Sequence, residues 1–196
     1  MNQIIRDIYQ QHHHTYPLKE NIRFELAHGR ETDYDQQIEN GKKRAHRLFE
    51  EVFHDSENIQ MIFFDAACSK KGFFRKFLHR NYFTIIDHFM TDSFKEYYTD
   101  ETSITVVETP LVNVRKTKLI DGICYEDFKK PGKLRITNAV VFYETKKHTL
   151  LTIYDDRGCD IWSDNIQQQQ AIYHKFNDWI LDYDRGTIDQ VFKELI

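Results

Sequence analysis

The stretch AVVFYETKKHTLLTIYDDRGCDIW, residues 139–162, decides the fold of this chain. Two apolar runs, Ala139–Thr145 and Thr149–Tyr154, are separated by three polar residues, which is an ordinary length for a hairpin connection. The segment Tyr154–Trp162 has the composition of a second hairpin turn, because two aspartates and an arginine precede Gly158. We therefore expect antiparallel strands here, with Gly158 at positive φ and the charged side chains at a solvated tip.

Apolar patterns outside this stretch predict further strands and helices. The runs that are typical of strands are Ile22–Ala27, Ile59–Phe64, Ser103–Glu108, Leu111–Leu119 and Ile123–Phe128. Helical spacing predicts a helix between Asp35 and Phe53, whose early part Gly41 weakens, and a short aromatic helix at Gly72–Leu78. After Trp162, Ser163 or Asp164 can cap one helix, and Thr187 can cap a final one.

These patterns together predict an α+β fold. We expect a central, mostly antiparallel sheet with helices packed on it and a C-terminal helical pair. A length of 196 residues suits a single domain, residues 1–196, with an acidic C-terminal helical lobe from about residue 163.

Composition indicates a soluble, cytoplasmic protein. Hydrophobic residues make up 40% of the chain and aromatic residues 14%, which is enough for a substantial core. No apolar run resembles a signal peptide or is long enough to span a membrane, so we expect no membrane partner. The three cysteines, Cys68, Cys124 and Cys159, are far apart and odd in number, which argues against a disulfide framework.

Charge is distributed unevenly along the chain. The formal net charge is −4, but residues 155–196 alone carry nine Asp and Glu against four Lys and Arg. An acidic C-terminal part can steer a basic partner toward itself. The residues that we select as candidates for partner binding are Asp155, Asp156, Arg157, Asp160, Trp162, Tyr173, Asp178, Asp182, Tyr183 and Asp184.

Other chemistry has weaker support in the sequence. Glu144 and Lys146 form an E-x-K pattern at a strand end, which with Asp121 or Asp127 would suit a metal-dependent nuclease. Consecutive histidines at 12–14 can bind a transition metal, but no second ligand cluster accompanies them. We therefore assign no metal site and no cofactor, and the negative net charge argues against nucleic acid as a partner.

Three segments carry a resemblance to a known family. They are Ile22–Leu26, the YDDRGCDI motif at Tyr154–Ile161 and the NDWILDYDR motif at Asn177–Arg185. The chain resembles an uncharacterised family of small soluble proteins from Gram-positive bacteria that is described only as a domain of unknown function. The resemblance implies a bacterial, cytoplasmic setting and a single compact domain, and it supplies no activity, substrate or catalytic residue.

Our leading functional hypothesis is a non-enzymatic module that binds another protein. Its most concrete version is an immunity protein that neutralises a basic bacterial toxin domain, with exposed aromatic residues as anchors. The alternatives are the metal-dependent nuclease and a structural or regulatory homo-oligomer that associates through the strand near Ala139–Tyr143. The sequence leaves the oligomeric state open.

Overall fold

A computed structural model describes most of the chain. The described residues are 21–27, 33–64, 71–79, 82–91, 102–128, 131–136 and 140–193. The histidines at 12–14 and Cys68 lie outside these ranges, and so do parts of several predicted elements.

Seven strands of the described chain form one antiparallel sheet, as the sequence predicts. In chain order they are β1 (Ile22–Glu25), β2 (Asn58–Phe64), β3 (Thr84–Thr91), β4 (Thr102–Pro110), β5 (Val140–Glu144), β6 (Thr149–Ile153) and β7 (Gly158–Ser163). Their spatial order is β1-β7-β6-β5-β2-β4-β3, and every neighbouring pair is antiparallel. β5 and β6 are buried along their whole length, which explains why both read as nearly continuous apolar runs.

Five α-helices occur in the described residues. They are α1 (Tyr34–Phe53), α2 (Lys71–Phe74), α3 (Lys116–Cys124), α4 (Ile166–Lys175) and α5 (Asp182–Lys193). Short 3₁₀ turns at Leu111–Asn113 and Asn177–Trp179 precede α3 and α5. The predicted α+β class and the C-terminal pair of helices are confirmed.

The largest helix, α1, packs one apolar stripe against the sheet. Asp33 caps its N-terminus by accepting hydrogen bonds from the backbone N–H groups of Asp35 and Gln36. The expectation that Gly41 weakens the early part of this helix is wrong, because the helix already begins at Tyr34 and Gly41 lies in its buried stripe. The other buried members of the stripe are Ile38, Ala45, Leu48, Phe49, Val52 and Phe53.

Apolar residues form two buried clusters. The larger one joins one face of the sheet to α1, α3, α4 and α5, with Phe24, Phe49 and Phe142 among its members. The smaller cluster lies on the other face of the sheet and includes Val141 and Leu150, with Trp162 packed against it. Contacts of Gln37 and Gly41 with Asp156, and of Arg44 with the Glu25 carbonyl, place the paired ends of β1 and β7 beside the first half of α1.

Several predicted elements differ from the structure. Leu111–Leu119 and Ile123–Phe128 are not strands, because Leu119, Ile120 and Ile123 face the larger cluster from α3. The sequence of strand β3 has no clear alternation, and none of residues 84–90 is fully buried. The short aromatic helix ends at Phe74.

The C-terminal helices also begin at other residues than predicted. Asn165, not Ser163 or Asp164, caps α4 by accepting from the backbone N–H of Gln168. Helix α5 begins at Asp182, so Thr187 is inside it and does not cap it. Ser163 instead accepts from the backbone N–H of Asn165.

Candidate functional site

The turn between β6 and β7 is closed by Asp155. Its carboxylate accepts hydrogen bonds from the backbone N–H of Arg157 at 2.7 Å and from Arg157 Nε at 2.8 Å. The Arg157 guanidinium also lies 3.3 Å from the Asp127 carboxylate. The backbone oxygen of Arg157 accepts a hydrogen bond from the backbone N–H of Leu26. The turn is therefore tied both to itself and to the end of β1.

Two expectations for this turn are wrong. Gly158 does not adopt a positive φ; among the glycines that the structure describes, Gly132 does. Gly158 instead begins β7, opposite Glu25 of β1. The aspartates are not at a solvated tip, because Asp155 and Asp156 are both buried.

Helix α1 covers the turn through Gly41. A Cβ atom at this position would clash with the backbone carbonyl of Asp156 and lie 3.2 Å from its Cα. One turn earlier, Gln37 donates a hydrogen bond of 2.8 Å to Asp156 Oδ2. Asp156 Oδ1 is buried without a hydrogen-bond partner, and burial raises the pKa of this carboxyl.

A second carboxylate, Asp160, is completely buried in β7. It accepts hydrogen bonds from Arg23 Nε at 3.1 Å, from Asn21 Nδ2 at 2.9 Å and from the Tyr154 hydroxyl. Burial raises its pKa, and the bonds from Tyr154 and Arg23 oppose that shift. Arg23 lies opposite Asp160 in the strand register and reaches Asp184 of α5 at 3.4 Å.

Arg23 stays charged in this network. Partial burial disfavours its guanidinium, but the ion pair and hydrogen bond with Asp160 outweigh that effect and raise its pKa. The network thus joins β1, β7 and α5 through a hydrogen-bonded ion pair.

Neither described cysteine has the surroundings of a nucleophile. Cys124 and Cys159 are buried free thiols, and burial together with neighbouring aspartates raises the pKa of both. Glu126 lies at the edge of the same region, where burial, Asp155 and Asp127 raise its pKa to about 7.

A groove of about 530 Å³ opens between β1, the β6–β7 turn, α1 and the start of α5. Its uncharged lining includes Ala27, Tyr154, Gly158 and Leu181, together with Phe24, whose side chain is fully buried in the core. Its polar part is formed by Arg23, Glu25, Gln37, Asp155 and Arg157. This volume lies within the range of small-ligand pockets, and we call this feature the groove.

Beside the groove, the start of α5 presents an exposed acidic surface. Tyr183 is 89% exposed, the Asp182 side chain is fully exposed, and Asp184 is partly exposed. Asp178 is exposed on the preceding 3₁₀ turn, which Arg185 ties to α5 by donating to Asn177 and to the Ile180 carbonyl. We call Asp178, Asp182, Tyr183 and Asp184 the acidic patch.

The ten candidate residues therefore divide into separate groups. Asp155, Asp156, Arg157 and Asp160 lie in or beside the β6–β7 turn, and Arg157 is the one among them with a largely exposed side chain. The acidic patch holds four more, and Asp184 joins the two groups through Arg23. Trp162 packs on the smaller cluster, and Tyr173 is buried with its hydroxyl donating to Asp189.

Sequence reasoning missed Glu25, Gln37 and Leu181, which complete the groove. Strand alternation in β1 would have placed Glu25 and Arg23 on the face opposite Phe24. No local pattern marks Gln37 or Leu181, because their role depends on which distant segments pack beside them.

The residues of the nuclease hypothesis lie in separate networks. Glu144 is buried and accepts from the backbone N–H of Lys147, whereas Lys146 Nζ lies 2.6 Å from Glu57. Asp121 contacts His46 and Lys42 of α1, and Asp127 contacts Arg157. Within the described ranges, no three His, Cys, Asp or Glu side chains are grouped so that they could hold a metal ion.

The strand considered for self-association lies inside the sheet. β5 pairs with β2 on one side and with β6 on the other, so both of its edges are hydrogen-bonded within the chain. None of the helices in the described part of the chain combines the length and apolar character needed to cross a lipid bilayer.

Comparison with known proteins agrees with the resemblance seen in the sequence motifs. The uncharacterized protein YnaE of Bacillus subtilis (strain 168) is 33% identical over 75 residues. That match spans 36% of this chain and 35% of the Bacillus protein, about a third of each. No solved structure matches. A family model with the description "Domain of unknown function (DUF3885)" matches residues 1–184, and the chain therefore belongs to this family.

Proposed function

We propose that this protein acts by binding another protein, and that the acidic patch makes the central contact. The observation that carries this proposal is the position of Tyr183, which is 89% exposed between two aspartates at the start of α5. A tyrosine is a frequent anchor of protein interfaces, because it buries a large ring and offers a hydroxyl group.

The surroundings of Tyr183 support a defined contact surface. Arg185 fixes the start of α5 by donating to the Asn177 and Ile180 carbonyl oxygens, at 3.0 and 3.1 Å. Asp184 is held by Arg23 on the adjoining strand. The patch is therefore presented by a braced helix end, which lowers the ordering cost of binding.

The concrete form of the proposal is an immunity protein that neutralises a basic toxin domain. Asp178 and Asp182 present negative charge beside the ring of Tyr183. Such charge attracts a basic partner at long range, so the association rate should fall as salt concentration rises.

Co-expression with candidate toxins tests this function. Each gene that flanks the present one in its own genome is expressed alone and together with this chain, and cell growth and co-purification are measured. We expect one neighbour to inhibit growth, to be neutralised by the wild-type chain, and to escape neutralisation by the double variant Asp182→Lys, Tyr183→Ala.

The matched control is Tyr82→Ala, because Tyr82 is also exposed, at 63%, but lies before β3 at the other end of the sheet. This control should protect as well as the wild type. Absence of any toxic neighbour that the chain binds, or equal protection by the double variant, contradicts the proposal.

A further inference from the structure

The groove adjoins the acidic patch, and its own chemistry points to one kind of occupant. Leu181 lines the groove and directly precedes Asp182, so one partner can contact both the patch and the groove. The inference below rests on the proposed protein-binding function and adds the chemistry of the partner segment.

The arginines at the groove are already engaged by carboxylates. Arg23 contacts Asp160 and Asp184, and Arg157 contacts Asp155 and Asp127. Each guanidinium therefore has two carboxylate partners. These arginines do not leave the groove with a net positive field that would attract an anion.

Glu25 is the carboxylate in the groove with the weakest pairing. The ion pair that it forms in the described structure is with Arg44, at 4.0 Å, and 36% of its side chain is exposed. Arg44 instead donates to the backbone oxygen of Glu25 at 2.7 Å and lies over the Trp179 ring at 5.0 Å. The Glu25 carboxylate can therefore accept a further cationic donor.

The apolar part of the groove suits the stem of a long basic side chain. Leu181 and Tyr154 line it beside Glu25. Arginine and lysine bury their methylene stems against apolar surface and keep the charged end at a polar group. A groove of about 530 Å³ is larger than one such side chain, so it has room for the neighbouring peptide.

We propose that the groove binds a basic segment of a protein partner, with one arginine or lysine side chain held by Glu25. Charge complementarity supports this occupant, since the three arginines in and around the groove, Arg23, Arg44 and Arg157, form ion pairs with five carboxylates, of which Glu25 and Asp155 line the groove and Asp127, Asp160 and Asp184 lie behind or beside it. Outside the lining, Tyr34 on the first turn of α1, which is 67% exposed, and Tyr183 on that of α5 offer exposed rings on the helix ends that supply Gln37 and Leu181 to the groove.

Titration of the full chain with a short peptide tests the inference without a natural partner. The probe is the tripeptide Ac-Ala-Arg-Ala-NH₂, and binding is followed by ¹⁵N–¹H NMR up to about 10 mM, which covers weak millimolar affinity. We expect saturating shifts of the amide signals of Glu25, Gly158 and Leu181. Citrulline in place of arginine keeps the shape but removes the charge, and it should bind at least about tenfold more weakly.

The variant Glu25→Gln should bind the arginine peptide with an affinity lower by a similar factor, about tenfold. The control Glu57→Gln also removes an exposed carboxylate, but just before β2 and outside the groove, and it should leave the affinity unchanged. No shift in the groove, equal binding of the citrulline peptide, or full binding by Glu25→Gln overturns the inference. The inference is also overturned if inorganic phosphate shifts the same amide signals and the arginine peptide does not.

The result is separable from that of the proposed function. A toxin that is neutralised through Tyr183 but equally well by Glu25→Gln supports the protein-binding function and refutes the groove assignment. Specific binding of the arginine peptide without any protected toxin confirms the chemistry of the groove and refutes the immunity function.

Discussion

Two aspartate-rich segments of this chain have nearly the same composition and opposite surroundings. Tyr154-Asp155-Asp156 forms the β6–β7 turn, and Asp182-Tyr183-Asp184 begins α5. Both carboxylates of the first segment are buried, whereas Asp182 and Tyr183 of the second are among the most exposed residues described. The comparison shows that the element packed over a charged segment, rather than its composition, decides what its charges do.

Helix α1 packs over the β6–β7 turn. No helix of the described chain packs over the exposed side chains at the start of α5. Gly41 allows the axis of α1 to approach Asp156, and Gln37 supplies a hydrogen bond to it. We therefore expect substitutions around the turn to change the free energy of unfolding and substitutions in the acidic patch to change binding. The four predictions below test this division, in order of decreasing effect on stability.

Asp160→Ala should have the largest effect, a loss of about 3 kcal/mol in the free energy of unfolding. The substitution leaves the Tyr154 hydroxyl and the Asn21 amide without their acceptor and Arg23 without its buried partner. Urea unfolding followed by circular dichroism measures the loss. Asp178→Ala, an exposed aspartate, is the control and should change stability by less than about 0.5 kcal/mol. Equal stability of the two variants would contradict a structural role for Asp160.

Gly41→Ala should destabilise the protein by about 1–3 kcal/mol although alanine favours a helix. The added methyl group meets the backbone carbonyl of Asp156, which cannot move aside as a flexible side chain can. Gly186→Ala in α5 is the matched control, since a Cβ there meets nothing within 4 Å. That control should be neutral or stabilising by up to about 1 kcal/mol. Thermal unfolding of both variants shows whether the two substitutions change stability in opposite directions. A Gly41→Ala variant that is more stable than the wild type would refute the close approach of α1 to the turn.

The sheet was largely predictable from sequence, and the coverage of the turn was not. Strands β2, β5 and β6 are nearly continuous apolar runs because neighbours cover both of their faces, and such runs are visible locally. The hairpin between β6 and β7 follows from the turn chemistry of Asp155. Burial of Asp156 depends on Gly41, which lies 115 positions away, and no local pattern connects the two.

Gly41 and residues 111–119 differ from the sequence-based expectations for the same physical reason. Gly41 lowers helix propensity, but its absent side chain is what lets α1 pack on the turn, so tertiary contact outweighs propensity. Residues 111–119 combine a 3₁₀ turn with the start of α3, and over so short a span apolar spacing fits a strand equally well. The groove escaped prediction because it unites β1, α1, the turn and Leu181, which are distant in sequence.

Glu126 should make stability depend on pH near neutrality. Its pKa in the folded protein is raised to about 7 by burial and by Asp155 and Asp127, whereas an unfolded glutamate titrates near 4.3. The carboxyl group of Glu126 therefore binds its proton more tightly in the folded state than in the unfolded state. This difference contributes fully to the free energy of unfolding below about pH 4, and the contribution is lost as the pH rises through about 7.

We expect the contribution of Glu126 to be about 1 kcal/mol after solvent screening. Unfolding free energies of the wild type and Glu126→Gln at pH 5, 6, 7 and 8 measure it. The variant keeps a neutral side chain at every pH, so its advantage over the wild type should grow with pH. A difference between the two proteins that is constant from pH 5 to pH 8 would refute the raised pKa.

The smallest effect on stability should come from the acidic patch, where the contrast with the turn is sharpest. Asp182→Ala and Tyr183→Ala remove side chains that solvent already surrounds, so each should change the free energy of unfolding by less than about 0.5 kcal/mol. If the patch binds a partner, Tyr183→Ala should nevertheless weaken that complex by about 2 kcal/mol, which calorimetry on the co-purified pair measures. If Tyr183→Ala stays as stable as the wild type but no longer binds the partner, Tyr183 acts in binding and not in stability. If instead Tyr183→Ala is as unstable as Asp160→Ala, Tyr183 has a structural role like that of the turn residues, and the basis for the proposed contact is lost.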